Sequence, residues 1–123
     1  MKYLKYLFLI IFLSGCTEGV RTIHPEFGYI YKLNSDFIPP EISNDSLRIP
    51  VFYSGCNDNH SFNLQYNTSR LSYSEVWLFK KTPTQFCEAA FSEIISFRIP
   101  PEVALTNEIY LLGPKGERIL LSR

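Results

Sequence analysis

Apolar residues recur at every second position along much of this chain, a period that turns one face of an extended strand toward an interior. Phe27, Tyr29, Tyr31 and Leu33 open the pattern, Leu47, Ile49, Val51 and Tyr53 repeat it, and Phe62, Leu64 and Tyr66 form a third run. Pro50 lies on the outward side of the second run and cannot donate to a ladder, which predicts an edge position for that strand. Val76, Trp77, Leu78 and Phe79 are consecutive and predict a strand covered on both faces. Glu108 to Leu112 and Arg118 to Leu121 flank Gly113-Pro114-Lys115-Gly116, turn chemistry between two further strands.

Residues 84–99 admit two readings. Phe86, Ala89, Ala90, Glu93, Ile94 and Phe97 suit a helix, whereas Phe91, Ile95, Phe97 and Ile99 suit a strand if a bulge near Glu93 absorbs the break in pattern. The β-rich neighbours and the isoleucine and aromatic content favour a strand over 91–99. Pro100-Pro101 ends either element. Six or seven short strands predict an all-β domain, an antiparallel β-sandwich of immunoglobulin-like architecture, with a small closed barrel as the alternative.

The N-terminus is of another kind. Lys2 and Lys5 precede an apolar run from Tyr6 to Leu13 that is too short to span a bilayer, and small Ser14 and Gly15 then lead to Cys16. Leu13-Ser14-Gly15-Cys16 resembles the lipobox of bacterial lipoproteins. That resemblance implies a signal-peptide helix over 1–15, removed in the mature chain, and a lipid on Cys16 that holds the protein durably to a membrane. It places the protein in the cell envelope. Thr17 is not the aspartate of inner-membrane retention, so an outer-membrane address is favoured where the cell has two membranes. Residues 16–26, polar and carrying Pro25, are expected to tether the lipid to one domain at 27–123.

With Cys16 consumed, Cys56 and Cys87 remain in an exported chain, and a disulfide is the direct reading. The alternative is two buried thiols. A metal site is not expected, because neither cysteine belongs to a C-x-x-C pair. Trp77 lies between them, but the spacings differ from those of antibody domains, so the bridge should join other strands. Beyond the lipobox, Gly55-Cys56, His60, Phe62 and Cys87-Glu88-Ala89 resemble small envelope lipoproteins with a sandwich domain, a likeness that implies no activity.

Cys56-Asn57-Asp58-Asn59-His60 is the most site-like segment. Asp58 and His60 lie two apart and could project together as metal or proton-transfer groups. A tight polar turn is the expected reading, since no further His, Asp or Glu at ligand spacing accompanies them. No nucleophile elbow, phosphate cradle or separable carboxylate pair is present, and Glu88 and Glu93 show no sign of burial in the sequence. No cofactor is expected. The whole chain has a formal net charge of 0, and loss of Lys2 and Lys5 makes the mature chain slightly acidic, which argues against nucleic acid.

Aromatic residues make up 15% of the chain, enough for core pairs, and Tyr29, Tyr31, Tyr73 and Tyr110 are candidates for an exposed platform. The expected function is therefore a non-enzymatic binding or structural role, with an envelope protein or glycan as partner. A membrane-tethered inhibitor of a secreted hydrolase and a carbohydrate-binding module are the alternatives. Coplanar exposed rings would favour sugar, and a protruding loop with a shaped tip would favour inhibition.

Overall fold

The computed structural model describes residues 20–121, so the expected signal-peptide helix and Cys16 lie outside the described residues. The chain is an all-β sandwich of two packed sheets. Its strands are β1 (Val20–Arg21), β2 (Lys32–Leu33), β3 (Glu41–Ser43), β4 (Ser46–Gly55), β5 (Phe62–Ser69), β6 (Tyr73–Lys80), β7 (Ala89–Arg98), β8 (Glu108–Leu112) and β9 (Arg118–Leu121). A single helical turn, α1 (Pro101–Ala104), follows β7, with Pro101 at its first position where no backbone donor is needed. Six strands of four residues or more form the body, and β1, β2 and β3 are short additions.

One sheet has the order β1-β5-β6-β8-β9. Within it β6 and β8 run parallel, a departure from the antiparallel expectation. The cause is connectivity: between them the chain crosses to the other sheet to form β7, then returns. In that other sheet β4 pairs with β7 along its whole length, while its opposite edge takes β3 at residues 46–48 and β2 at residues 51–52. β4 is thus central, and the edge position expected from Pro50 is corrected. The Pro50 carbonyl accepts from Asn34 N–H at 3.0 Å, so its nitrogen also faces the gap between β3 and β2, where no ladder bond is lost.

β7 resolves the ambiguous stretch as a strand and carries it to residues 89–98. Its register with β4 is continuous from Arg98 opposite Ser46 to Ala89 opposite Gly55, so there is no bulge near Glu93. Strict alternation instead puts Glu93 on the core face beside Phe91, Ile95 and Phe97, and turns Ile94 outward.

The core lies where the alternating runs meet. Leu47, Ile49, Val51 and Tyr53 from β4 face Phe62, Val76, Leu78, Ile109 and Leu111, all buried. Tyr31 donates its hydroxyl to Leu78 O at 2.6 Å and meets Phe62 edge-on. The first run behaves differently from its expectation. Only Lys32–Leu33 form a strand, because Gly28, at φ 71°, bends the chain against Lys80; a Cβ there would lie 2.3 Å from Lys80 O.

Residues 20–28, mostly assigned to the tether, run as a strap over the first sheet. Val20 and Arg21 pair with Ser69 and Thr68. The Ile23 backbone exchanges two hydrogen bonds with the Asn67 side-chain amide. Glu26 O accepts from Trp77 Nε1 at 3.1 Å, and Phe27 O from Lys80 N at 2.9 Å. Trp77 points to the outer face of its sheet and is nevertheless fully buried, because the strap crosses above it.

Candidate functional site: a clamped loop pair

The two ends of the sandwich differ in construction. At one end the β5–β6 turn, α1 and the start of β1 come together. At the other, the β4–β5 connection (56–61) and the β6–β7 connection (81–88) are joined by the Cys56–Cys87 disulfide, with Cα atoms 4.8 Å apart. This bridge joins the loops beside β4 and β7, neighbours in one sheet, rather than the two sheets of the immunoglobulin arrangement.

The second loop is held from several directions. Gln85 Oε1 accepts from Cys56 N–H at 2.6 Å and lies 3.2 Å from His60 Nε2. Thr82 Oγ1 accepts from Ser61 N–H, Lys81 N–H donates to Ser61 O, and Lys80 Nζ donates to Thr82 O. Between Gln85 and Cys87, both held in place, stands Phe86, fully exposed. A large apolar side chain displayed by an ordered loop loses little conformational freedom when a partner covers it. The helix alternative for residues 84–99 put Phe86 on its apolar face, the favoured strand over 91–99 left it out, and only its neighbour Cys87 could have signalled a fixed loop.

Beneath the loops lies a polar cluster. His60 is buried and stacks on Tyr53, with ring centroids 4.3 Å apart. Because the Gln85 oxygen only accepts, His60 Nε2 donates to it, and Nδ1 is buried with no hydrogen-bond partner among the described residues. Asp58, by contrast, faces solvent, so the structure parts the two residues considered together in the sequence. Asn59, at φ 62°, reverses the chain between them and donates its N–H to Glu93 Oε1 at 2.9 Å. Glu93 is the member that sequence reasoning missed. Among the described residues no group of three or more His, Cys, Asp or Glu could hold a metal ion.

The titratable groups buried at this end of the core should make stability depend on pH. Burial first, and then the Glu117 carboxylate, push the Tyr31 phenol well above its usual 10. Burial likewise raises Tyr53, with the Glu93 and Asp58 carboxylates adding to it. Both phenols hold their protons more tightly folded than unfolded. The stability they contribute is complete below about pH 10 and falls above it, at about 1.4 kcal/mol per pH unit for the deeply buried Tyr31 and by less for Tyr53. Burial lowers Lys80 below its usual 10.5, which has the opposite sign and adds stability as pH approaches that value. Denaturant titrations from about pH 8 to about pH 11 should show stability held or rising to near pH 10, then a decline. A curve that stays flat above pH 10 would contradict the burial of the two phenols.

Other surfaces bear on the alternatives. Tyr73 and Tyr110 are neighbours on the outer face of the first sheet, but their rings meet at 81° and Arg118 sits 3.7 Å above Tyr110. That is not a flat sugar platform, and Tyr31 is buried. On the outer face of the other sheet, Phe37, Ile38, Pro50, Phe52 and Ile94 line an apolar groove of about 480 Å³. No helix among the described residues is long and apolar enough to cross a membrane. No family model, curated protein or solved structure matches the chain.

Proposed function

We propose that the protein is a membrane-anchored envelope lipoprotein with a non-enzymatic binding role: Cys16 carries the lipid, and the clamped loop 81–88 presents Phe86 to a partner protein. The observation that carries this reading is a fully exposed phenylalanine between a hydrogen-bonded glutamine and a disulfide cysteine. Exposed apolar residues scattered over a surface need no explanation, whereas one held at the tip of a rigid loop has the form of a binding hot spot. The same tip suits a tethered inhibitor of a secreted hydrolase, the second reading. The perpendicular tyrosines give the carbohydrate reading less support.

The test uses the lipidated chain as bait in crosslinking from native membranes. Phe86→Asp should cut partner capture by about 30-fold, the scale of a hot spot of 2 kcal/mol. Its melting temperature should stay unchanged, since Phe86 contributes no burial to the fold. Cys16→Ser should abolish palmitate labelling and move the protein out of the membrane fraction. Undiminished capture by Phe86→Asp rejects the loop as the binding site, and palmitate on Cys16→Ser rejects the anchor.

A further inference from the structure

We infer that the domain stands on the bilayer on its chain-entry end, with Leu71 and Leu105 dipping into the lipid interface and Phe86 facing away. The inference rests on the lipid anchor at Cys16 proposed above. Cys16 is four residues before Val20, a span of at most about 14 Å even when fully extended. Val20 is fixed, because it pairs with Ser69 at the end of β5. The anchored lipid therefore cannot stray far from the β5–β6 turn.

That end carries the apolar surface a lipid interface takes. Leu71 is 63% exposed and Leu105 68% exposed. They belong to one surface, since Asn107 N–H donates to Leu71 O at 3.1 Å and Glu108 N–H to Ser72 O. Ser72 N–H closes the turn onto Ser69 O, with Arg70 at φ 50°, so Leu71 sits at the tip of a defined turn. Leu105 caps the C-terminal end of α1, two residues before Asn107, while Val103, two residues before Leu105, is fully buried and locks the helix to the core. Arg70, Glu102 and Glu108 near the same end mix both signs. Attachment of this face therefore comes from the leucines and should persist in high salt.

The opposite end is out of reach. The eight residues of β5 span about 26 Å, and the clamped loops lie beyond its first residue. With the domain upright, Phe86 is carried away from the lipid and toward soluble or envelope partners. The groove lined by Phe37 and Ile94 then lies on the flank.

The experiment reconstitutes the full mature lipoprotein into phosphatidylethanolamine–phosphatidylglycerol vesicles. An environment-sensitive fluorophore is placed, without reductant, at Leu71→Cys, Leu105→Cys, Phe37→Cys or Phe86→Cys, and doxyl-labelled lipids serve as quenchers. Labels at 71 and 105 should shift to the blue and be quenched at least threefold more than those at 37 and 86, in low and high salt alike. Hydroxyl-radical footprinting of the unsubstituted protein gives the same reading without variants, with Leu71 and Leu105 protected and Phe86 oxidised. Intact-mass measurement reports the lipid separately. Lipid present with Leu71 and Leu105 in water, or with Phe37 or Phe86 quenched instead, overturns the orientation alone. A chain without lipid overturns the anchor and the orientation together.

Discussion

Replacing Cys56 and Cys87 together by serine should lower the stability of the domain by roughly 3–4 kcal/mol. The bridge closes a loop of sequence separation 31, and that length sets the entropy removed from the unfolded chain. The loss is large for a domain of this size, whose whole stability lies in the range of about 5–15 kcal/mol. Native geometry works in the same direction. Gly55 and Ala89 are already paired at the ends of β4 and β7, so the bridge joins backbones that the sheet holds close. Urea unfolding followed by tryptophan emission should show the loss as a lower midpoint with an intact transition. A loss under about 1 kcal/mol would mean that the bonds from Gln85 to Cys56 and His60 hold the loops without the covalent link.

The parts of the fold legible in the sequence are those where one residue in two is apolar and the backbone is ordinary. β4, β5 and the β8–β9 hairpin follow directly from their alternation and turn residues. The consecutive apolar run of β6 correctly signals a strand covered on both sides, although the cover over Trp77 is a strap rather than a third layer. β7 was legible as the favoured strand over 91–99, but Glu93 interrupts its apolar face and suggested a bulge that the structure does not have. The residue keeps the alternation and pairs with the Asn59 N–H from the neighbouring loop, a partner that no local pattern reveals. The strap hid for the same lack of a local signal. Its bonds run to Asn67, Trp77 and Lys80, more than 40 residues away in sequence, and its own composition is polar.

The site was legible at its covalent point and obscure elsewhere. The expectation of export, with Cys16 set aside for a lipid, left one pair of cysteines and so the bridge, and the structure has that bridge. The segment 56–60 attracts notice through its histidine and aspartate, yet Asn59 in the left-handed region sends Asp58 outward and His60 inward. The feature that offers a contact is Phe86, and its role depends on exposure, which an aromatic residue in a sequence does not announce. The helix alternative even recruited it to a core face. Only the third dimension separates a buried phenylalanine from a displayed one.

Trp77→Ala should cost about 3–5 kcal/mol, as much as the loss of the disulfide or more. A residue on the outer face of a sheet is ordinarily half-wet and tolerant of change. Trp77 is fully buried there, and its indole N–H is shared between Glu26 O and Gln65 Oε1, each at 3.1 Å. Alanine would leave a cavity between strap and sheet and remove the donor to both oxygens. Trp77→Phe keeps much of the volume and loses only the donor, so it should cost roughly 1–2 kcal/mol. The ordering of the two variants separates packing from hydrogen bonding. The chain has a single tryptophan, so the emission of the unsubstituted protein reports the strap directly. Removing residues 17–25 should expose the ring and shift its emission to the red, even in a domain that stays folded. If Trp77→Ala instead costs under about 1 kcal/mol, or the shortened chain keeps its blue emission, the strap is not what buries Trp77. The distance between the proposed anchor and the domain would then be set by a free tether rather than by the pairing of Val20 with Ser69.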